Sequence, residues 1–213
     1  MYLKPKLRGV SHEVAFLASP LLSWMLWLRS STGAARLAVA VYALAMSGLF
    51  GVSALFHRRD WSPAARLRMR RLDHSMIFLA IAGTYTAIAG LALSRRTAVV
   101  VLTVVWSGAL AGVAVRLLRR KPAPKRLAAV PYVAVGWIAV AVLPQLLHRL
   151  GVVGFGLVVL GGACYTAGAV VFARQRPDPS PEVFGYHEIF HALVLAGAAA
   201  HYAAVALFVL PRG

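Results

Sequence analysis

The sequence is divided into apolar runs that are each about as long as a membrane is thick. A helix needs about 20 apolar residues to cross a hydrocarbon core of about 30 Å. Seven runs of roughly that length follow one another along the 213 residues. We therefore predict an all-α, polytopic membrane protein whose single domain is a seven-transmembrane-helix bundle. The predicted spans are 12–28, 34–56, 74–93, 97–117, 127–147, 151–172 and 187–210.

The composition also indicates a membrane protein. Hydrophobic residues make up 60% of the chain and charged residues 14%, whereas soluble domains hold about half and about a quarter. The formal net charge of +17 would favour nucleic-acid binding if the basic residues formed a stripe on a soluble face. They stand instead in short clusters between the apolar runs, so we expect contact with membrane lipids and no nucleic acid.

The basic clusters predict an orientation, because Lys and Arg concentrate in cytosolic loops. Of the 23 basic residues, 17 precede the first span or fall in the 2–3, 4–5 and 6–7 loops, and six fall on the opposite side. We predict a cytosolic N-terminus and an outside C-terminus. Lys4, Lys6 and Arg8 precede the first run as in a signal peptide. We see no convincing cleavage site and interpret the run as a retained helix.

The seventh run begins with HEIFH, which has the order of a zincin metalloprotease motif. His187 and His191 are four residues apart on one helix face and can bind one metal ion. In metzincins a third His follows six residues after the second, and Gly197 occupies that position here. Glu188 lies about 100° around the helix from His187, so it could activate water only if that face also turned inward. The soluble-protease interpretation is therefore weakened.

Polar residues of two other spans reach the same depth on the same side. His57 ends the second span, and Ser53 lies one turn deeper on the same face. Asp73 and His74 open the third span, where Asp73 could alternatively stabilise a helix N-terminus. Ionisable residues within a membrane are costly and usually functional. We predict an inter-helix metal site near the cytosolic side, with the ligands His57, His187 and His191.

The remaining histidines have other interpretations. His12 and His148 are interpreted as helix-end residues that cap carbonyls or meet headgroups. For His74, an orienting or structural role is favoured over ligation. His201 lies ten residues beyond His191, about 15 Å along the axis, which makes it a poor ligand. It either lines a cavity or packs against a neighbour. The candidates for a supporting role around the ligands are His74, Glu188 and His201.

Four stretches occur in a specific order: SALFH at 53–57, DHSMIFLAIAGTYT at 73–86, GGACYTAGAVVF at 161–172 and HEIFHALVLAGAAAH at 187–201. KPKLRGVSH at 4–12 is a weaker fifth. Together they resemble the hemolysin III branch of the progestin and adipoQ receptor family, relatives of the adiponectin receptors and, more distantly, of alkaline ceramidases. Ala87 follows GTYT where many relatives carry Pro, which bears on a local kink and not on the site.

The resemblance implies a seven-helix bundle with its N-terminus inside, in agreement with the basic clusters. It also implies zinc held by His57, His187 and His191, with Ser53 and Asp73 beside the zinc-bound water. In that family pattern the residue after the first seventh-helix His is not a required base. Glu188 is then incidental to the protease motif.

We expect a zinc-dependent hydrolase that acts on an amide or ester bond of a membrane lipid, in a bacterial plasma membrane. Asp73 would take a proton and Ser53 would hydrogen-bond the water or the developing oxyanion. The alternative is a non-catalytic receptor or homeostasis regulator, whose closed structural zinc site would use Asp73 as a fourth ligand. A pore-forming cytolysin is the least favoured class, because no span carries a polar stripe able to line a channel.

Overall fold

The computed structural model describes residues 5–118 and 129–212, and these residues are helical with no β-sheet. Lys4, the basic residues from Arg119 to Arg126, and the first residues of the predicted fifth span, 127–128, lie outside the described residues. The helices are α1 (Val10–Leu28), α2 (Gly33–Arg58), α3 (Pro63–Ala92), α4 (Arg95–Leu118), α5 (Val130–Gly136), α6 (Leu143–Arg174) and α7 (Tyr186–Ala204). Trp137–Val142 forms a 3₁₀ turn after α5, and Val205–Val209 and Leu210–Arg212 extend α7 as π and 3₁₀ turns.

Five of the described helical stretches are long and apolar enough to cross a membrane. They are Gly33–Arg58, Pro63–Ala92, Arg95–Leu118, Val130–Arg174 and Tyr186–Val209. The prediction of an all-α, multi-pass membrane protein is therefore confirmed.

Helix α3 begins eleven residues before the predicted span 74–93. Ser62 caps it by accepting a hydrogen bond from the Ala65 N–H (3.4 Å), and Pro63 occupies its first position. Its first three turns are rich in Arg, Leu and Met, which favour helices without being continuously apolar. Asp73 consequently lies well inside a helix, so the alternative that it stabilises a helix N-terminus is wrong.

The helical stretch Val130–Arg174 changes direction at Gly151. The backbone of Gly151 has φ 70° and ψ 175°, a conformation that glycine adopts without the steric penalty of a Cβ atom. The break separates Leu143–Leu150 from Val152–Arg174, close to the predicted boundary between the fifth and sixth spans.

The bundle is apolar both inside and outside. Phe78, Leu26 and Val105 are at most 1% exposed and lie in the interior. Large apolar side chains also cover the outer surface, such as Leu44 at 75% and Val152 at 77% exposure. Extensive exposed apolar surface marks contact with a membrane, as expected for these helices.

Candidate metal centre

Three histidines from two helices meet at one end of the bundle. His57 stands in the last turn of α2, and His187 and His191 stand one turn apart at the start of α7. The Nε2 atoms of His57 and His187 are 3.3 Å apart. One ring nitrogen from each of the three residues lies within 4.8 Å of the others. The three histidines could therefore hold a metal ion.

One nitrogen pair of this cluster has the spacing of a site for a small divalent ion. Zinc binds imidazole nitrogens at about 2.0–2.1 Å, so two nitrogens of a tetrahedral site are about 3.4 Å apart. The 3.3 Å between His57 Nε2 and His187 Nε2 is close to that separation. His191 is 2% exposed, and its Nδ1 has no hydrogen-bond partner among the described residues. Two buried imidazoles and the partly buried imidazole of His187 form a donor set that suits zinc, copper, iron or nickel.

Ser53 and Asp73 lie beside the cluster on α2 and α3. Ser53 is 2% exposed and Asp73 9%, and the Ser53 side chain hydrogen-bonds the Asp73 carboxylate. Ser53 Oγ is also 2.8 Å from His12 Nδ1. When Asp73 is ionised its carboxylate only accepts hydrogen bonds, and Ser53 then donates its hydrogen to Asp73 and accepts one from His12. The three side chains thus form a directed chain from α1 to α3.

His12 is the residue of this site that the sequence did not identify. It is 2% exposed, and its ring stacks on that of His191 with centroids 3.8 Å apart and an interplanar angle of 6°. Its interpretation as a helix-end residue that meets headgroups is wrong, because α1 packs it against the cluster. The signal in the sequence was its place at the end of the KPKLRGVSH stretch. His148, with the same interpretation, is exposed.

The segment before α1 packs against the start of α7. Gly9 has φ 80°, and a Cβ atom there would lie 2.7 Å from the Cβ of His57, so glycine permits both the turn and the close approach. Lys6 donates its N–H to the Glu182 carbonyl at 2.9 Å, and Leu7 donates to the Val183 carbonyl at 3.2 Å. These contacts bring the first turn of α1, with His12, to the three histidines.

The carboxylate of Glu188 contacts Arg8 and Gly185 and is not part of the histidine cluster. One oxygen pairs with the Arg8 guanidinium, and the other accepts the Gly185 N–H at 2.9 Å. Glu188 is 3% exposed and belongs to neither the ligand group nor the cavity lining among the described residues. Its contacts link the N-terminal segment to α7 and give no support to a zincin-like base.

An apolar cavity of about 170 Å³ extends from the cluster into the bundle. Ser53, Asp73 and His187 line one end of it, and His201 lines it about four turns further along α7 than His187. His201 both lines the cavity and packs against a neighbour, since a Cβ atom on Gly161 would lie 2.3 Å from its ring. The walls between the two ends include Leu49, Ile77, Ile81, Phe172, Phe190 and Val194.

His74 lies in the cavity lining, next to Asp73 on α3. Its backbone carbonyl accepts a hydrogen bond from the Tyr132 hydroxyl at 3.1 Å. His74 is not a member of the ligand group found among the described residues. His74 therefore lies outside that ligand group, and its supporting role stays a prediction.

A family model described as Haemolysin-III related matches residues 1–202. The chain belongs to this family. The matched segment of this haemolysin-III related protein contains every site residue described above, from Arg8 to His201.

Two curated relatives match the haemolysin-III related chain along most of its length. Hemolysin-3 of Bacillus cereus is 30% identical over 208 residues, which covers 95% of this chain and 90% of the relative. The hemolysin-3 homolog of Bacillus subtilis (strain 168) is 27% identical over 203 residues, which covers 94% of this chain and 92% of the relative. The similarity therefore extends over whole chains.

Proposed function

We propose that the protein is a zinc-dependent hydrolase that cleaves an amide or ester bond of a membrane lipid. One observation carries the proposal: three imidazoles converge, and one of them, His187, lines one end of an apolar cavity together with Ser53 and Asp73. Such a combination of a few convergent polar groups with apolar walls is typical of a site that binds and converts a small apolar ligand.

The choice of zinc and of an open site rests on the donor set. Three protein ligands plus one free position are typical of catalytic zinc sites, whereas structural sites have four protein ligands. The Asp73 carboxylate is not a member of the ligand group found among the described residues. The fourth position therefore belongs to water or substrate in our proposal, which disfavours the alternative of a receptor or regulator with a closed structural zinc.

A zinc ion bound by the three histidines would polarise the lipid carbonyl and make water nucleophilic near neutral pH. Asp73 would take the proton of the attacking water and pass it to the leaving nitrogen or oxygen. Ser53 would orient the Asp73 carboxylate by donating its hydrogen to it, and its second lone pair could accept a hydrogen bond from the water. Once Asp73 has taken the proton, the Ser53 hydrogen would be free to bond the developing oxyanion. Water is added across the carbonyl–nitrogen or carbonyl–oxygen bond, and the products are a carboxylic acid and an amine or alcohol.

A lipid substrate is supported by the walls of the cavity and by its setting. Most of the lining side chains are apolar, and most of the helices that carry them are long and apolar enough to cross a membrane. An acyl chain can enter such a cavity from the bilayer without first being transferred through water. A water-soluble substrate would gain little binding free energy from contact with these apolar walls.

For the topology we propose seven spans in a bacterial plasma membrane, with the N-terminus and the zinc site at the cytosolic side. The stretch Val130–Arg174 holds 45 residues, about 68 Å at 1.5 Å per residue, which is too long for one span. The break at Gly151 divides it into two. Helix α1, with 19 residues, is long enough for a further span. Seven spans place 17 of the 23 basic residues on one side.

The test is a turnover assay on detergent-purified protein supplied with Zn²⁺. A panel of long-chain lipid amides and esters would be incubated with the wild type and with His57→Ala, and the free acid measured by mass spectrometry. We expect release of acid by the wild type and a loss of at least a hundredfold in the variant. Wild type with about one zinc per chain and no turnover of the panel would count against the hydrolase and favour a non-catalytic role.

A further inference from the structure

The inner end of the cavity carries a polar group that the proposed hydrolysis does not use. His201 lies ten residues beyond His191 on α7, about 15 Å along the helix axis. It is 8% exposed, and its ring lines the same cavity as His187. An ionisable side chain at this depth in an apolar bundle is costly and usually serves a function.

The hydrogen bonding of His201 defines what it can bind. Its Nε2 is 3.1 Å from the Val158 carbonyl, which only accepts hydrogen bonds, so Nε2 carries the ring hydrogen. In the neutral ring Nδ1 is then an acceptor. That nitrogen is buried and has no hydrogen-bond partner among the described residues. The acceptor is consequently available for a donor group brought in by a ligand.

Three hydroxyl groups of the cavity wall already have partners. The Thr84 hydroxyl donates to the Ala80 carbonyl, and the Thr166 hydroxyl donates to the Gly162 carbonyl, each at 2.8 Å. The Tyr85 hydroxyl donates to the Gly136 carbonyl at 2.7 Å. Two ring nitrogens of the lining lack a partner among the described residues: His12 Nε2 beside the three histidines, and His201 Nδ1 at the inner end, away from the proposed reaction.

The surroundings of His201 are shaped to hold an imidazole and a phenol together. The Tyr165 ring, on α6, also lines the cavity, and its centroid is 5.4 Å from that of His201. Two glycines make room for the pair. A Cβ atom on Gly161 would lie 2.3 Å from the His201 ring, and one on Gly197 would lie 3.0 Å from the Tyr165 ring.

We propose that His201 and Tyr165 form a subsite for a hydroxyl group on the chain of the bound lipid. A hydroxyl is the smallest group that can donate to His201 Nδ1 and accept from the Tyr165 hydroxyl at once. The preferred ligand is an acyl chain with its carbonyl at the three histidines and a hydroxyl on the order of ten carbons along the chain, given the rise of about 15 Å. The inference rests on the proposed function for the direction of the chain.

The experiment compares dodecanoic acid with 12-hydroxydodecanoic acid as ligands of the detergent-purified protein supplied with Zn²⁺, by isothermal titration calorimetry. We expect the hydroxy acid to bind several-fold more tightly to the wild type. In His201→Phe the hydroxy acid should lose about tenfold in affinity relative to the unsubstituted acid. Equal binding by the wild type, or the same ratio in His201→Phe, would overturn the subsite.

Two controls keep the result interpretable. His148→Phe makes the same chemical change at an exposed histidine outside the cavity lining, and it should keep the wild-type ratio. If His201→Phe does not fold, wild-type binding of acids hydroxylated at carbons 6, 8, 10 and 12 replaces it, and a flat series overturns the proposal. Both acids resemble products of the proposed reaction, and their binding requires no turnover. The binding ratio therefore tests the subsite independently of the turnover assay.

Discussion

The ring of His12 lies parallel to that of His191 at a centroid distance of 3.8 Å, while its Nδ1 is 2.8 Å from Ser53 Oγ. One side chain of α1 thus contacts both a proposed metal ligand and the hydroxyl that orients Asp73. Ring stacking restrains the plane of His191, and the hydrogen bond fixes the Ser53 rotamer. The two contacts can be removed one at a time, because they involve different parts of the same ring.

We predict that two substitutions of His12 have different effects. His12→Phe keeps a ring against His191 and loses the bond to Ser53, so zinc affinity should be retained and turnover should fall about tenfold. His12→Asn keeps a polar atom near the position of Nδ1 and loses the stacking, so zinc affinity should fall more than turnover at saturating zinc. Competition with a chromogenic chelator and the lipid assay measure the two quantities.

Ser53→Ala provides the control for this pair. In that background His12→Phe should cause no further loss of turnover, because the hydrogen bond is already absent. Parallel losses of zinc affinity and turnover in both His12 variants would instead indicate a general packing role for the residue.

Removing a proposed ligand should affect metal content and stability together. His191→Ala is expected to lose the bound zinc and to abolish the rise in melting temperature that added Zn²⁺ gives the wild type, because an ion that binds only the folded state stabilises it. Elemental analysis and a thermal-shift assay measure both effects. His148→Ala, which changes an exposed histidine, should match the wild type. Unchanged metal content in His191→Ala would remove His191 from the site.

Asp73→Asn separates proton transfer from metal binding. The amide has the size of the carboxylate and can still accept a hydrogen bond from Ser53, so the fold and the zinc content should be retained. Turnover should fall by about 10²–10⁴, the usual contribution of a general base. Loss of zinc in this variant would argue that Asp73 is a ligand, as in the closed structural site.

The pair between Arg8 and Glu188 allows the protease motif to be tested. If Glu188 links the N-terminal segment to α7, Arg8→Met should destabilise the protein by about 3 kcal/mol, because it leaves a buried carboxylate without its cation. Adding Glu188→Gln should recover part of that loss. Glu188→Gln alone should keep turnover within a few-fold of the wild type, whereas a zincin-like base would lose it almost entirely.

The sequence predicted the convergence of His57, His187 and His191, because helical spacing and the ends of apolar runs determine where those side chains stand. It did not predict the position of His12, which depends on how the segment before α1 packs against α7. The pairing of Glu188 with Arg8 has the same origin, since the two residues are 180 positions apart. The early start of α3 was missed because the turns between Pro63 and Asp73 carry arginines and extend beyond the apolar run.

The proposed topology makes a prediction about the two ends of the chain. With seven spans and a cytosolic N-terminus, a C-terminal alkaline phosphatase fusion should be active outside the membrane and a C-terminal green fluorescent protein fusion should be dark. The same reporters placed after Arg176, between α6 and α7, should give the opposite result, because one span separates the two positions. An even number of spans would place both chain ends on one side, and a fluorescent C-terminal fusion would then contradict the orientation proposed from the basic clusters.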